Sequence, residues 1–225
     1  MLTTLIIATW LALVCGVIPV LAWISKRKID QGLRIPRLAI YAEAMILQIL
    51  LLAISVGVAW FLGIRLFTPT FPSGPDLLMA AAVLGIALST MILGWRFAGE
   101  QARERIRMLL PVTGRERLIW IALSAAAAVS EETLYRGLLP RLVESLSGSF
   151  LLAIAVSVIA FSLAHLLQGW TSALVVGIFA LAFHGLVASS GGLWTAIAVH
   201  FIYDVLAGLT LGRVIESPET IHAEV

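Results

Sequence analysis

The sequence predicts an all-α protein, a polytopic transmembrane helical bundle of about seven spans. Three observations carry this prediction. Apolar residues make up 60% of the chain and charged residues 12%, with a mean hydropathy of +1.03, whereas a soluble domain runs near about 25% charged. The apolar residues gather in stretches of roughly 20, the length at which a helix crosses a hydrocarbon core. The basic residues fall between those stretches in two clusters, the pattern of loops beside membrane spans. Together these exclude a disordered chain, a secreted disulfide scaffold and a nucleic-acid binder. The single cysteine, Cys15, forms no intrachain disulfide and no cysteine metal cluster.

Backbone groups in lipid must bond internally, and the two-residue alternation of barrel strands is absent, so the spans are helices. The first runs over 2–24. It lacks a basic leader and exceeds a signal-peptide core, so it reads as a retained span. Residues 25–37 follow, with Lys26, Arg27, Lys28, Arg34 and Arg37. The second span covers 38–63, and Glu43 near its start is close enough to the boundary to snorkel outward. The connection over 64–76 carries Arg65 as its one basic residue and a turn-forming cluster at Pro72–Pro75. The third span covers 77–97.

Six arginines lie in 96–117. Ala98, Ala102, Ile106 and Leu109 recur at helical spacing, with Arg103, Arg105 and Arg107 on other faces. That pattern suits a helix lying on an anionic surface. Pro111 ends it. Thr113 and Glu116 then form a capping box that restarts a helix. The fourth to seventh spans follow over 117–138, 149–168, 170–189 and 192–212. Residues 213–225 read as a polar cytoplasmic tail, with His222 uninvolved. The two basic clusters make the first and third loops cytoplasmic, the N-terminus external and the C-terminus cytoplasmic. Arg136 and Arg141 then lie toward the outer side, against this trend.

Ionisable groups inside spans cost about 2.5–3.5 kcal/mol each on insertion scales, so they call for a reason. Here they gather in the C-terminal half. Glu132 and Arg136 stand i,i+4 with the acid first, the favourable order for an ion pair, and a guanidinium can hold a carboxylate bidentately. Glu131 points about 100° away. One arginine cannot compensate two buried acids, so Glu131 is left for proton transfer. Phe161 and His165 share a helix face, an aromatic wall beside an imidazole. His200 and Asp204 are again i,i+4, where the acid can orient the ring or, protonated, donate to an oxyanion. His184 has no acidic neighbour in sequence and reads as a packing or interface histidine. At about 1.5 Å per residue, Glu131 and His200 coincide in depth, while His165 falls some 10 Å short unless a tilt, a break near Ser130 or a shifted boundary intervenes.

These strings resemble the CPBP family, which includes type II CAAX prenyl endopeptidases, Abi proteins and bacteriocin-processing or immunity proteins. The family pattern is E-E-x-x-x-R, then F-x-x-x-H, then H-x-x-x-N or H-x-x-x-D. It is matched here by Glu131, Glu132 and Arg136, by Phe161 and His165, and by His200 and Asp204. The resemblance covers roughly 113–212. It implies a catalytic core there, behind an N-terminal unit over 1–112.

The resemblance further implies an intramembrane endopeptidase in the bacterial cytoplasmic membrane. Glu131 would activate water with help from His165, and His200 and Asp204 would stabilise the oxyanion. Glu132, Arg136 and Phe161 would support them. Asparagine is the commoner residue at position 204 in the prenyl endopeptidases. It donates at any pH, whereas aspartate donates only when protonated. The substrate would be a protein or peptide, lipidated or membrane-anchored. The resemblance implies no cofactor. Zinc is the alternative, since two histidines and a glutamate form a zinc set, although no H-E-x-x-H string is present.

Two other function classes compete. Buried Glu, His and Arg also mark proton- or ion-coupled transporters, but no inverted repeat is evident. A non-catalytic immunity-type protein would keep the same strings as scaffold.

Overall fold

The computed structural model describes residues 1–216. Its described residues form eight helices, with no strand among them: α1 (Leu2–Asp30), α2 (Arg37–Phe61), α3 (Gly74–Phe97), α4 (Glu100–Leu109), α5 (Gly114–Ser147), α6 (Phe150–Ala164), α7 (Trp170–Ser190) and α8 (Trp194–Glu216). Six of these are long and apolar enough to cross a membrane, and α6 is a shorter apolar helix. The chain is an integral membrane protein. Residues 217–225, including His222, lie outside the described residues. The segment expected to be tail from 213 begins as helix, because α8 continues to Glu216.

The outer surface is apolar and the polar groups turn inward. Leu78, Leu151 and Leu174 are largely exposed, while Ser55, Ser124, Ser157, Glu132 and Arg136 are buried. That arrangement follows when lipid is the solvent, since lipid rewards no burial of leucine but penalises every exposed polar atom.

Helix α5 is the hub. Its first half packs against α2 and α8, and its second half packs against α6. Leu134, Leu138, Leu139 and Leu142 of α5 are almost fully buried in a core shared with α1, α2 and α6. A second core joins α3, α7 and α8 through Ala80, Phe183, Leu186, Ala196 and Val199.

Two helices contain a widened π segment. In α1 it spans Leu13–Val17, and in α5 it spans Glu132–Leu138. In each case a proline follows two residues later, Pro19 and Pro140. Proline lacks the N–H for the i−4 carbonyl and its ring clashes with that carbonyl. The preceding turn therefore relaxes into the wider form.

The Thr113–Glu116 capping box forms as the sequence predicts, with Glu116 accepting from the Val112 and Thr113 amides. A second box, Ser73 with Asp76, starts α3.

The amphipathic segment begins at Glu100, leaving Ala98 extended and outside the helix. Its arginines do more than face a lipid surface. Arg105 pairs with Asp30 at 2.7 Å, and Arg107 with Glu100 at 2.7 Å. Arg103 donates to the Trp95 and Arg96 carbonyls, which satisfies acceptors left open at the C-terminus of α3. Ion pairing and helix capping within the chain thus take part of the charge that sequence alone assigned to an anionic surface.

Several span boundaries differ from those the sequence predicts, and the first span continues as helix to Asp30 rather than ending at 24. The fourth span, α5, runs to Ser147 rather than 138, because Pro140 is accommodated by the π segment and does not stop the helix. The fifth stops at Ala164, and a single 3-10 turn, Leu166–Gln168, joins it to α7. At about 1.5 Å per residue its 15 residues reach only ~22 Å, less than the roughly 30 Å of a hydrocarbon core.

Candidate active site

The site forms where α5, α6 and α8 meet, with α2 and α7 closing its sides. Helix α5 ends at Gly148, whose φ of +67° is the left-handed conformation glycine adopts without strain. Ser149 caps α6 immediately afterwards. The two helices form an antiparallel hairpin. Glu131 lies 17 residues before Gly148 and His165 lies 17 after it, so the two stand level. The 10 Å shortfall expected for His165 disappears for this reason. The count measured depth from the inner ends of the two spans, taking 168 as one of them, whereas α6 stops at Ala164 after 15 residues, too few to span a hydrocarbon core.

Glu131 faces two imidazoles through one oxygen. Its Oε2 is 4.0 Å from His165 Nε2 and 3.8 Å from His200 Nε2. Asp204 Oδ2 is 3.5 Å from the same His200 nitrogen. Glu131 to either imidazole is too far for a direct hydrogen bond. The spacing leaves Glu131, His165 and His200 able to touch one small group between them. The Glu131 and Asp204 side chains are 15% and 26% exposed, whereas Glu132 is fully buried. Only the first two are open to a ligand.

Each imidazole is oriented by its other nitrogen. His165 Nδ1 donates to the Phe161 carbonyl at 2.8 Å, because a carbonyl can only accept. The Phe161 ring lies against the His165 ring with centroids 4.4 Å apart. His200 Nδ1 bonds Glu132 Oε1 at 2.8 Å. Glu132, and not Asp204, is therefore the carboxylate that orients His200. Asp204 lies instead at the nitrogen turned toward Glu131. The sequence placed Asp204 on His200 by its i,i+4 spacing, but the shorter bond comes from a helix 68 residues away.

The two adjacent glutamates have opposite surroundings. Glu132 Oε1 also accepts from Arg136 at 3.2 Å. The guanidinium lies 4.2 Å from the Phe161 ring centroid and 5.2 Å from that of Phe183, a desolvated cation between aromatic faces. Among the described residues, no guanidinium is seen bonded to Glu131. Its Oε1 accepts from the Gln48 amide of α2 at 2.6 Å.

Sequence reasoning missed Gln48 and Phe183. Gln48 carried a signal, being the sole amide in the apolar run 44–54. Phe183 carried none. His184 lies apart, bonded to Ser157 Oγ at 3.2 Å, and Ser157 donates to the Tyr135 carbonyl. Helix α8 is held to α5 by Trp120, whose indole donates to the Asp204 carbonyl at 2.9 Å.

Among the described residues, no group of three or more His, Cys, Asp and Glu side chains is disposed to hold a metal ion. The arrangement offers a carboxylate able to take a proton, two oriented imidazoles and an acid beside one of them. This is an inventory for general acid–base chemistry on a bound carbonyl. Residues 113–206 match the family model described as Rce1-like, type II CAAX prenyl endopeptidase. No curated protein and no solved structure matches the chain.

Proposed function

From the premise that residues 113–206 are an Rce1-like domain, consistent with the CPBP family, we propose that the chain is an intramembrane endopeptidase that uses a glutamate-activated water. The observation that carries this reading is the convergence of Glu131 Oε2 on the Nε2 atoms of His165 and His200, at 4.0 and 3.8 Å. Glu131 takes a proton from water, and the hydroxide attacks the scissile carbonyl carbon. His165, its Nδ1–H given to Phe161, turns its other nitrogen toward that water. His200 and Asp204 lie where the oxyanion develops. Each donates from the edge facing Glu131 when it carries a proton there. Collapse of the tetrahedral intermediate breaks the C–N bond, and the proton held by Glu131 passes to the leaving amine. Glu132, Arg136 and Phe161 hold the frame.

The substrate in this reading is a membrane-associated protein or peptide, lipidated or anchored, reached from the bilayer. The reaction is metal-independent. Basic residues over 25–37 and 96–117 support a cytoplasmic C-terminus and an external N-terminus in a bacterial cytoplasmic membrane.

The test compares wild type with Glu131→Gln in detergent on a panel of lipidated and unlipidated peptides, with and without a chelator. Cleavage by wild type, lost in the variant and indifferent to chelator, is the expected result. Equal behaviour of the two proteins overturns hydrolysis at this site. Loss with chelator and recovery with zinc replaces the glutamate mechanism with a metal one. Proton flux into liposomes that needs Glu131, without cleavage, points to transport.

A further inference from the structure

Outside the matched segment, one side chain reaches the reacting group. Gln48 on α2 donates its Nε2–H to Glu131 Oε1 at 2.6 Å, across 83 residues of sequence. We propose that Gln48 is a positioning residue that holds the Glu131 carboxylate with Oε2 turned to the two imidazoles. This assignment rests on the reading of Glu131 as the base.

Three observations support it. The terminal torsion of a glutamate is broad and roughly two-fold, so a base on this side chain needs a partner to fix the direction of its free oxygen. Gln48 occupies one oxygen and leaves the other, Oε2, facing His165 and His200.

The partner is also neutral. Glu132, one residue on, is bound by Arg136 and His200. A guanidinium bonded to Glu131, like the Arg136 group on Glu132, would oppose uptake of a proton. An amide orients the carboxylate without adding a positive charge.

Finally, Gln48 is not satisfied by its surroundings. Its Oε1 is buried with no hydrogen-bond partner among the described residues, and its sequence neighbours from 44 to 54 are otherwise all apolar. A residue chosen for packing would carry no such unpaired carbonyl. The same carbonyl suits the cycle of a base. Once Glu131 is protonated, rotation of the amide turns Oε1 toward the new O–H as acceptor. One side chain thus serves both protonation states. The N-terminal half then contributes to the site, and is more than a membrane anchor for the matched segment.

The experiment uses the full chain in detergent with Gln48→Met, which keeps length and volume but has no donor. The expected result is a fall in kcat on the order of 10- to 100-fold with KM unchanged, the signature of a misaligned group rather than lost binding. A second readout is the infrared carboxyl band of Glu131, assigned by its disappearance in Glu131→Gln. It shifts in Gln48→Met, which a purely structural role would not cause. A wild-type kcat together with an unmoved band overturns the proposal. Where Gln48→Met does not fold, Gln48→Glu takes its place. Two carboxyls then share the contact, so kcat is expected to fall in the same way, and full activity overturns the proposal. If wild type cleaves no peptide, the endopeptidase reading fails, and the infrared comparison still decides whether Gln48 holds Glu131.

Discussion

Glu131 and His165 face each other at 4.0 Å, each 17 residues from the glycine that turns α5 into α6. Their meeting depends on register along a hairpin. No bond joins the two side chains directly. Position along the helices is therefore the property that mutation can most cleanly disturb.

One alanine inserted between Ala160 and Phe161 advances His165 by about 1.5 Å and rotates it by about 100°. Ser157 and Ala153, earlier in α6, keep their packing. Peptidase activity is expected to fall by 100-fold or more, on the order expected for a misplaced catalytic group. The same insertion between Gly148 and Ser149, where the turn can absorb it, is expected to keep more activity. Measuring kcat for both, on protein shown to be monodisperse, checks the hairpin register.

Glu132→Gln removes the charge that compensates Arg136 in a fully buried setting. Breaking a buried pair by removing one partner costs roughly 3–5 kcal/mol. A marked fall in thermal midpoint in detergent is expected, together with a fall in activity as His200 exchanges its orienting carboxylate for a neutral amide. Glu131→Gln touches no such pair, so its midpoint should stay near wild type. Equal midpoints for the two variants would remove the distinction drawn between these glutamates.

Gly208→Ala tests how α8 is seated. A Cβ at this position meets the Trp120 indole ring, and that indole donates to the Asp204 carbonyl. Overpacking of this kind costs about 1–3 kcal/mol. Displacing α8 carries His200 and Asp204 away from Glu131, so activity is expected to fall along with stability. Pairing Gly208→Ala with Trp120→Phe, which removes the polar edge of the indole, should recover part of the thermal midpoint.

Phe161→Leu leaves the backbone carbonyl that orients His165 but removes one face of the aromatic pair around Arg136. The expected loss is about 1–2 kcal/mol of stability, the scale of a desolvated cation–π contact. A reduced but measurable kcat is expected, because the His165 Nδ1 bond persists. Unfolding in detergent and single-substrate kinetics on the same preparation separate the two effects.

Much of the site is legible along the chain because its parts are local. The Glu132–Arg136 pair is one helical turn apart, as are Phe161 and His165, and Thr113 with Glu116. Periodicity and capping chemistry reveal such neighbours before any folding. The true length of α5 was less visible. Its last turns, Pro140 to Ser147, are polar enough to read as a loop. Pro140, which signals the π segment, was the available clue.

Composition and hydropathy establish the solvent and the raw chemistry. Few charges in an apolar chain call for lipid, and acids and histidines within spans call for a purpose. The tertiary structure alone decided which of these groups meet. Glu132 rather than Asp204 orients His200, Gln48 rather than a cation holds Glu131, and the turn at Gly148 brings His165 level with Glu131. Each of these contacts joins different helices. Their partners are set by helix length, turn position and packing angle, quantities that hydropathy and periodicity average over.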